Sequence, residues 1–280
     1  MKKKVYKSTM ESTMVGPLWA RAKYGALYPD ILKDPEAEVL IKKVYEMYHD
    51  QQDEFAIMEK FMDEFASLNF IYRAKKFDDE IRDFKKNHPF ATIINLGCGL
   101  DTSDIRIADN NLKWFQIDLP SSIAFREKLI SPTDNSKNIA KSIFDYSWFK
   151  DVEFNTQKGV LIIAAGLFNY FQEEKLMDLC NKLANYFAGG ILIFDLPSKL
   201  LKKILNRKYK KLGVQRVDHE FGLGNPKKVL KWSKNIKKMS CVIFFKGLDL
   251  NPSWEKRTRF LMRFFRTFKF YKLVKLIFED

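Results

Sequence analysis

Residues 93–101 read Ile-Ile-Asn-Leu-Gly-Cys-Gly-Leu-Asp, and residues 114–118 read Trp-Phe-Gln-Ile-Asp. The apolar part of each stretch predicts a buried strand. Gly97 and Gly99 follow the first strand, and there the chain can turn tightly and a ligand can approach the backbone. Asp118 ends the second strand, 21 positions after Gly97, where a carboxylate can accept both hydroxyl groups of an adenosine ribose. The two stretches together predict a nucleotide-binding βαβ unit.

The identity of the adenosine cofactor is narrowed by features that the sequence lacks. A dinucleotide fingerprint requires a third glycine three residues after the second, and this position is Thr102. Dinucleotide-binding folds also usually begin with the strand that precedes the glycine turn, whereas in this chain that strand starts near residue 91. The chain has no Gly-x-x-x-x-Gly-Lys-Ser/Thr loop, which a P-loop nucleotidase would need. S-adenosylmethionine remains as the common candidate, because it has a ribose to bind but no phosphate.

Several further motifs occur in the order that is typical of one family. They lie at residues 19–22, 34–37, 72–79, 95–106, 114–120, 144–148 and 164–171. Together they resemble the leucine carboxyl methyltransferase superfamily, in particular its branch of polyketide O-methyltransferases related to tetracenomycin carboxyl methylation. The resemblance implies an α/β class I methyltransferase fold. This is a Rossmann-like, mostly parallel sheet with an antiparallel closing strand, plus an N-terminal helical lid.

The same resemblance implies roles for residues around S-adenosylmethionine. Arg73 would pair with the cofactor carboxylate, because a guanidinium group matches a carboxylate bidentately. Asp145 would accept the adenine amino group, with Phe144 or Tyr146 against the ring, although a polar strand end beside a core aromatic is an equally ordinary interpretation. The predicted cofactor-binding set is Arg73, Gly97, Gly99, Asp118, Leu119, Phe144, Asp145, Ala165 and Gly166.

The sequence does not assign a catalytic residue. A glutamate often stands at the position of Ala165 in part of the superfamily, which weakens the case for methylation of a protein leucine carboxylate. An ionised carboxylate acceptor needs no general base, whereas a phenol or alcohol acceptor requires one within hydrogen-bond reach. His49 and Tyr24 or Tyr28, in the expected lid, are candidates for such a base, and the sequence does not select among them.

Composition limits the remaining functions. The chain has 280 residues, 46% of them hydrophobic, and 25 Phe, which suggests an aromatic-rich interior or substrate cavity. Three scattered Cys and three His make neither a disulfide framework nor a metal-ligand set. No apolar run approaches the roughly 20 residues of a membrane span. We therefore expect a cytoplasmic protein without a metal.

The net charge of +14 is concentrated in residues 199–238, where only Asp218 and Glu220 oppose a large excess of Lys and Arg. Such a block can be an ordinary solvated face or a surface for nucleic acid, acidic lipid or an acidic protein. Its aromatics, Tyr209 and Trp232, are few, and no base-reading motif is present, which argues against nucleic acid. The favoured function is an O-methyltransferase whose partner is a small-molecule acceptor with a carboxylate or acidic hydroxyl. The alternative is a methyltransferase-like binding protein with little catalysis, associated with nucleic acid through this block.

The periodicity of the chain predicts helices over residues 17–88. We expect an N-terminal helical lid segment over 1–88 and an α/β core over 89–280, as one integrated domain. Helices are predicted within 34–47, at 51–66 and at 68–86. Strands are predicted at 91–96, 113–117, 138–143, 159–165, 190–195, 240–246 and 270–278. The helices between them are predicted at 102–109, 121–130, 173–187 and 199–211. The last is expected to be a basic amphipathic helix with Leu200, Leu201, Ile204 and Leu205 facing inward.

Overall fold

The protein was analysed as a computed structural model, which describes residues 10–49, 59, 62–211 and 220–280. The N-terminal part is helical, with α1 (Met10–Leu27), α2 (Pro35–Met47) and α3 (Glu64–Asn87). The helix predicted over 51–66 lies mostly outside the described residues. Within them, α3 includes residues 64–66, so the predicted boundary between the second and third helices at 66–68 is wrong.

Seven strands follow, and they form one sheet. They are β1 (Thr92–Leu96), β2 (Lys113–Asp118), β3 (Ser136–Ala140), β4 (Val160–Ala164), β5 (Ile191–Pro197), β6 (Ile236–Ile243) and β7 (Tyr271–Phe278). Their order is β3-β2-β1-β4-β5-β7-β6. The first five strands pair in parallel, and β7 lies antiparallel between β5 and β6. The predicted mostly parallel sheet with an antiparallel closing strand is therefore confirmed.

Helices connect these strands: α4 (Ser103–Ile107), α5 (Pro120–Leu129), α6 (Glu173–Tyr186), α7 (Lys199–Lys211) and α8 (Lys256–Thr267). The sequence did not predict α8, because neither a capping side chain nor an acid in the first turn marks its beginning. The prediction for α7 was wrong in part. Leu201 is buried, but Leu200 and Ile204 are exposed to solvent.

The beginning of α2 follows from its sequence. The Asp34 carboxylate accepts a hydrogen bond from the Ala37 N–H at 3.2 Å, which satisfies one of the backbone donors that every helix leaves open at its first turn. Pro35 occupies the first turn, where its fixed φ and missing N–H are no disadvantage. Leu40 and Val44 then turn inward and are completely buried. The predicted helix start at 34–37 is confirmed.

The core is built on both faces of the sheet. All five residues of β1 and all five of β4 are buried, as expected for central strands of a parallel sheet with helices on both faces. A separate apolar cluster joins α1 and α2 to α5, and an aromatic cluster joins α1 and α3 to the segment 244–271. These two clusters attach the N-terminal helices to the carboxyl edge of the sheet, where α/β proteins bind their ligands.

Candidate cofactor-binding site

The turn after β1 has a geometry that requires glycine. Gly97 and Gly99 have φ values of 63° and 47°, in the left-handed region that favours glycine. A Cβ atom at Gly97 would lie 2.6 Å from a methyl carbon of Leu167, and one at Gly99 would lie 3.2 Å from Cγ of Met14. The Gly97 N–H donates to the Ile117 carbonyl at 2.7 Å, which holds the turn against β2.

Asp118 lies directly beside this turn. One carboxylate oxygen accepts the Gly99 N–H at 2.8 Å, and the other accepts the Leu119 N–H at 2.7 Å. Burial raises the pKa of the Asp118 carboxyl group above its ordinary value, although both backbone N–H groups act in the opposite direction. A carboxylate offers about four lone-pair sites. The two backbone N–H groups and the Ser122 side chain use part of this capacity, and the remainder is available to a further donor.

Arg126, on α5, fixes the other side of the turn. Its side chain is completely buried, and Nη1 donates to the carbonyl oxygens of Gly99 at 3.0 Å and Asp101 at 2.6 Å. Asp104 lies 3.8 Å from Nη2 and balances the charge. Sequence reasoning missed this residue, because one arginine in a helix that is polar on its exposed side gives no distinguishing signal.

A buried ionic network supports the turn from behind. Arg106, on α4, donates bidentately to Asp78 of α3 with both distances at 2.8 Å, and also to Asp34 at 2.9 Å. Arg21 of α1 binds the same Asp34 oxygen at 2.9 Å and the Leu100 carbonyl at 2.7 Å. The network joins the three N-terminal helices to the residues that follow β1. It brings the motifs at 19–22, 34–37, 72–79 and 95–106, which are far apart in the sequence, into contact with one another.

Arg73 is a residue of α3, and its side chain reaches the loop that follows β4. A Cβ atom added to Gly166 would lie 2.6 Å from the Arg73 Nη1 atom, so the guanidinium group rests against this glycine. Behind it, Asp195 on β5 accepts the Gly166 N–H at 2.6 Å and lies 3.9 Å from Arg73. Burial raises the pKa of the Asp195 carboxyl group. The sequence analysis missed Asp195, although an acid inside the apolar run of β5 was a usable signal.

Phe144 and Asp145 lie after β3, which ends earlier than predicted, at Ala140. The Phe144 ring packs edge-on against Phe171 with centroids 4.8 Å apart. Asp145 is exposed and accepts the Ser147 N–H at 3.2 Å, so its carboxylate caps a short 3₁₀ turn. The Ser147 side chain and its backbone N–H lower the pKa of Asp145. This arrangement fits the interpretation of a polar strand end, and a role in adenine binding stays a prediction.

The candidate bases in the N-terminal helices are poorly suited to take a proton. The Tyr28 hydroxyl donates to Glu64 at 3.3 Å. Burial, and then the nearby charge of Glu64, raise the pKa of both Tyr24 and Tyr28. The two phenols therefore stay neutral near pH 7, and Tyr28 serves as a hydrogen-bond donor. His49 is exposed just beyond the end of α2.

The fold brings most of the predicted cofactor residues to one edge of the sheet. Asp118 contacts Gly99, Leu167 lies against Gly97, and Arg73 contacts the neighbouring Gly166. A turn without Cβ atoms, a carboxylate with free lone pairs and a partly exposed guanidinium fit the backbone approach, ribose hydroxyls and carboxylate of S-adenosylmethionine. The residues present therefore fit this cofactor.

Comparison with known proteins adds independent support. The pattern of the leucine carboxyl methyltransferase family matches residues 14–184. The tetracenomycin polyketide synthesis O-methyltransferase TcmP of Streptomyces glaucescens is 25% identical over 221 residues, which cover 78% of this chain and 77% of that protein. The S-adenosyl-L-methionine-dependent methyltransferase dpfgK of Gibberella zeae is 24% identical over 231 residues, or 76% of each chain.

A solved structure of a DUF574 family protein from Streptomyces avermitilis has the same fold. It superposes with a TM-score of 0.56 at 10% identity, over 94% of this chain and 97% of its own. The family match covers more than half of the 280 residues and includes the glycine turn, Asp118 and Arg73. The chain therefore belongs to the leucine carboxyl methyltransferase family and is an S-adenosylmethionine-dependent methyltransferase with the class I methyltransferase fold.

Proposed function

We propose that the enzyme transfers a methyl group to an oxygen atom of a small-molecule acceptor, specifically a carboxylate or an acidic hydroxyl. The observation that carries this proposal is that the hydroxyl groups of Tyr24 and Tyr28, beside the carboxyl edge, stay protonated. The Tyr28 hydroxyl already donates to Glu64 at 3.3 Å, and burial raises the pKa of both phenols, which argues against either as the base. An acceptor that is ionised before it binds needs none.

The proposed cofactor contacts follow from the positions of the chain's own groups. Asp118 accepts the ribose hydroxyls, and Gly97 and Gly99 admit the methionyl part close to the backbone. Arg73 binds the cofactor carboxylate, with Asp195 holding the guanidinium group in place. Leu119, Phe144, Asp145 and Ala165 line the adenine and ribose side. When bound, S-adenosylmethionine supplies an electrophilic methyl group on sulfur, and its thioether leaves without protonation.

The protein's contribution to the rate is then alignment and exclusion of water. In-line displacement depends on close approach of the two reacting atoms, and well-oriented reactants gain several kcal/mol, up to roughly 7–11, from proximity alone. The N-terminal helices support such an enclosure: Met14 of α1 lies against Gly99, and α1 and α2 pack on α5. We propose that these helices form a lid over the cofactor.

Aromatic side chains supply the apolar wall for an acceptor. Tyr24, Tyr28 and Phe65 pack in one cluster with Trp254 and Phe245, on the same side as Arg73. An aromatic or polyketide-like acid would gain both ring contacts and attraction to the positive surface. The polyketide O-methyltransferase that is 25% identical to this chain supports the same class of acceptor.

The test is transfer of a labelled methyl group from S-adenosylmethionine to a panel of aromatic acids, phenols and aliphatic alcohols, with transfer RNA and DNA alongside. We expect label on acids and acidic phenols but not on alcohols. For each acceptor, the rate should rise as the pH passes the acceptor's own pKa. Label on nucleic acid alone, or transfer to alcohols as fast as to acids, would contradict the proposal.

A further inference from the structure

Helix α8 carries a stripe of phenylalanines that no part of the described chain covers. Phe260, Phe264 and Phe268 follow one another at intervals of four residues and have 64%, 37% and 58% of their surface exposed. The opposite face of α8 is anchored, because Thr258 and Met262 are 1% exposed. The stripe is therefore a fixed surface of a packed helix.

Cations flank the stripe. Helix α8 contains no acid, and Arg259, Arg263 and Arg266 make no ion pair with any carboxylate of the described residues. Lys256 and Lys269 extend the positive charge to both ends of the helix. Among the arginines of α8, Arg257 alone has an ion pair within the part of the chain that the structure describes, with Asp63 at 3.1 Å. Each exposed ring thus stands next in the sequence to a Lys or Arg that has no ion pair with the described residues.

A second basic helix begins beside the end of α8. The Ser198 N–H, just before α7, donates to the Phe270 carbonyl at 2.6 Å, and Pro197 of β5 pairs with Tyr271 of β7. Exposed Leu200 and Ile204 lie on α7 among lysines, again without an acid in the helix. Both helices therefore extend from the same edge of the sheet, the edge that carries the cofactor residues.

We propose that α8, together with the first turns of α7, is a docking surface for an anionic lipid bilayer. An interfacial helix presents Phe or Leu to the acyl boundary and Lys or Arg to the headgroups, which is the composition observed here. None of the helices in the described part of the chain is long and apolar enough to cross a membrane. In this proposal α8 and the first turns of α7 lie on the membrane surface, and the cofactor edge of the sheet faces the membrane.

Other occupants agree less well with the geometry. A second copy of the chain would bring one positive face against another, which costs free energy. Single-stranded nucleic acid needs open ring faces for stacking. Here Phe264 packs against Phe268 and Phe270 with centroids 4.5 and 5.4 Å apart, so the rings form a continuous apolar strip. Such an apolar strip can be buried at the boundary between the headgroups and acyl chains of a bilayer.

The test is co-sedimentation of the full-length protein with vesicles of phosphatidylcholine alone and of phosphatidylcholine with 30–40% phosphatidylserine, about the range of an anionic leaflet. We expect binding only to the anionic vesicles, weakening as salt is raised. The variant Arg259→Glu/Arg263→Glu/Arg266→Glu should bind at least about a hundredfold more weakly, since each cation near the surface contributes roughly fivefold. The variant Phe260→Ser/Phe268→Ser should lose at least about tenfold.

Two control variants carry the same kinds of substitution, charge reversal and apolar-to-serine, at exposed positions outside α7 and α8. Lys128, Lys137 and Lys150 are exposed and are changed together to Glu, which gives the same net charge as the arginine variant. Phe90 and Met177, exposed on other elements, are changed together to Ser. Both controls should bind vesicles like the parent. The proposal is overturned if the parent does not bind anionic vesicles, if the controls lose as much as the α8 variants, or if the surface binds only nucleic acid or an acidic protein.

Discussion

Replacing Asp118 by alanine should weaken S-adenosylmethionine binding far more than replacing Asp109. Charge-assisted hydrogen bonds contribute about 1.5–3 kcal/mol each, and two ribose hydroxyls therefore correspond to about 3–6 kcal/mol, or roughly 10²- to 10⁴-fold in Kd. Asp118 is half-buried, so solvent screens part of this and we expect the lower end of the range. Asp109 forms a surface ion pair with Lys85 at 2.8 Å, and such pairs contribute at most about 1 kcal/mol, none of it to the cofactor.

The assay is calorimetric titration of each variant at one ionic strength, with unfolding by urea measured in parallel. Asp118→Ala also removes the acceptor of the Gly99 and Leu119 N–H groups, and a lost buried partner costs about 1–3 kcal/mol of stability. Asp118→Asn keeps an acceptor and should fold better, yet it should still bind weakly because the charge is gone. Equal Kd values for folded Asp118→Ala and Asp109→Ala would refute the assignment.

Three further predictions concern the supports of the site. Arg126→Met should lower the free energy of unfolding by about 3–5 kcal/mol, measured by urea titration, because it strands Asp104 and two carbonyls in the interior; a loss under 1 kcal/mol would contradict this. Gly97→Ala should destabilise more than Gly247→Ala: both have φ above 60°, but only the first meets a neighbouring side chain, whereas nothing lies within 4 Å of the second. Thermal melting distinguishes them, and equal losses would disprove the packing argument. Arg106 and Arg21 overcome burial and lower the pKa of Asp101 to about 2. Because the folded pKa is below the unfolded one of about 3.9, roughly 2–3 kcal/mol of stability is present above pH 4 and is lost as the pH falls toward 2. Asp101→Asn should flatten acid unfolding curves in that window, and an unchanged curve would exclude this origin.

The sheet was predictable because its signals are local. Apolar runs that end in glycine or an acid identify β1 and β2, and the same pattern gives β4 and β5. The boundaries of β3 and β6 were displaced by several residues, since Lys137 in β3 and Lys237 and Lys238 in β6 follow directly after the first residue and conceal where the strands start. Helix α8 was missed although its apolar residues follow a helical period, because no capping side chain and no acid in the first turn mark where it begins.

Only the part of the site that lies in local sequence motifs at strand ends could be predicted. Gly97, Gly99 and Asp118 are adjacent in space because neighbouring parallel strands bring their carboxyl ends together. The positions of Arg126 and Asp195 depend on packing between distant elements, and no sequence pattern encodes the pairing of an α5 arginine with two loop carbonyls. Exposure of Leu200 and Ile204 likewise depends on what the rest of the chain leaves uncovered.

The central claim is that the edge formed by the glycine turn, Asp118 and Arg73 binds S-adenosylmethionine. The most direct measurement is calorimetric titration of the full chain with S-adenosylmethionine and with S-adenosylhomocysteine. We expect saturable binding of both ligands with a stoichiometry near one. We also expect that Arg73→Met weakens both while exposed Arg82→Met, on the same helix, weakens neither. Absence of binding up to millimolar ligand by folded protein, or equal binding by the two arginine variants, would contradict the claim.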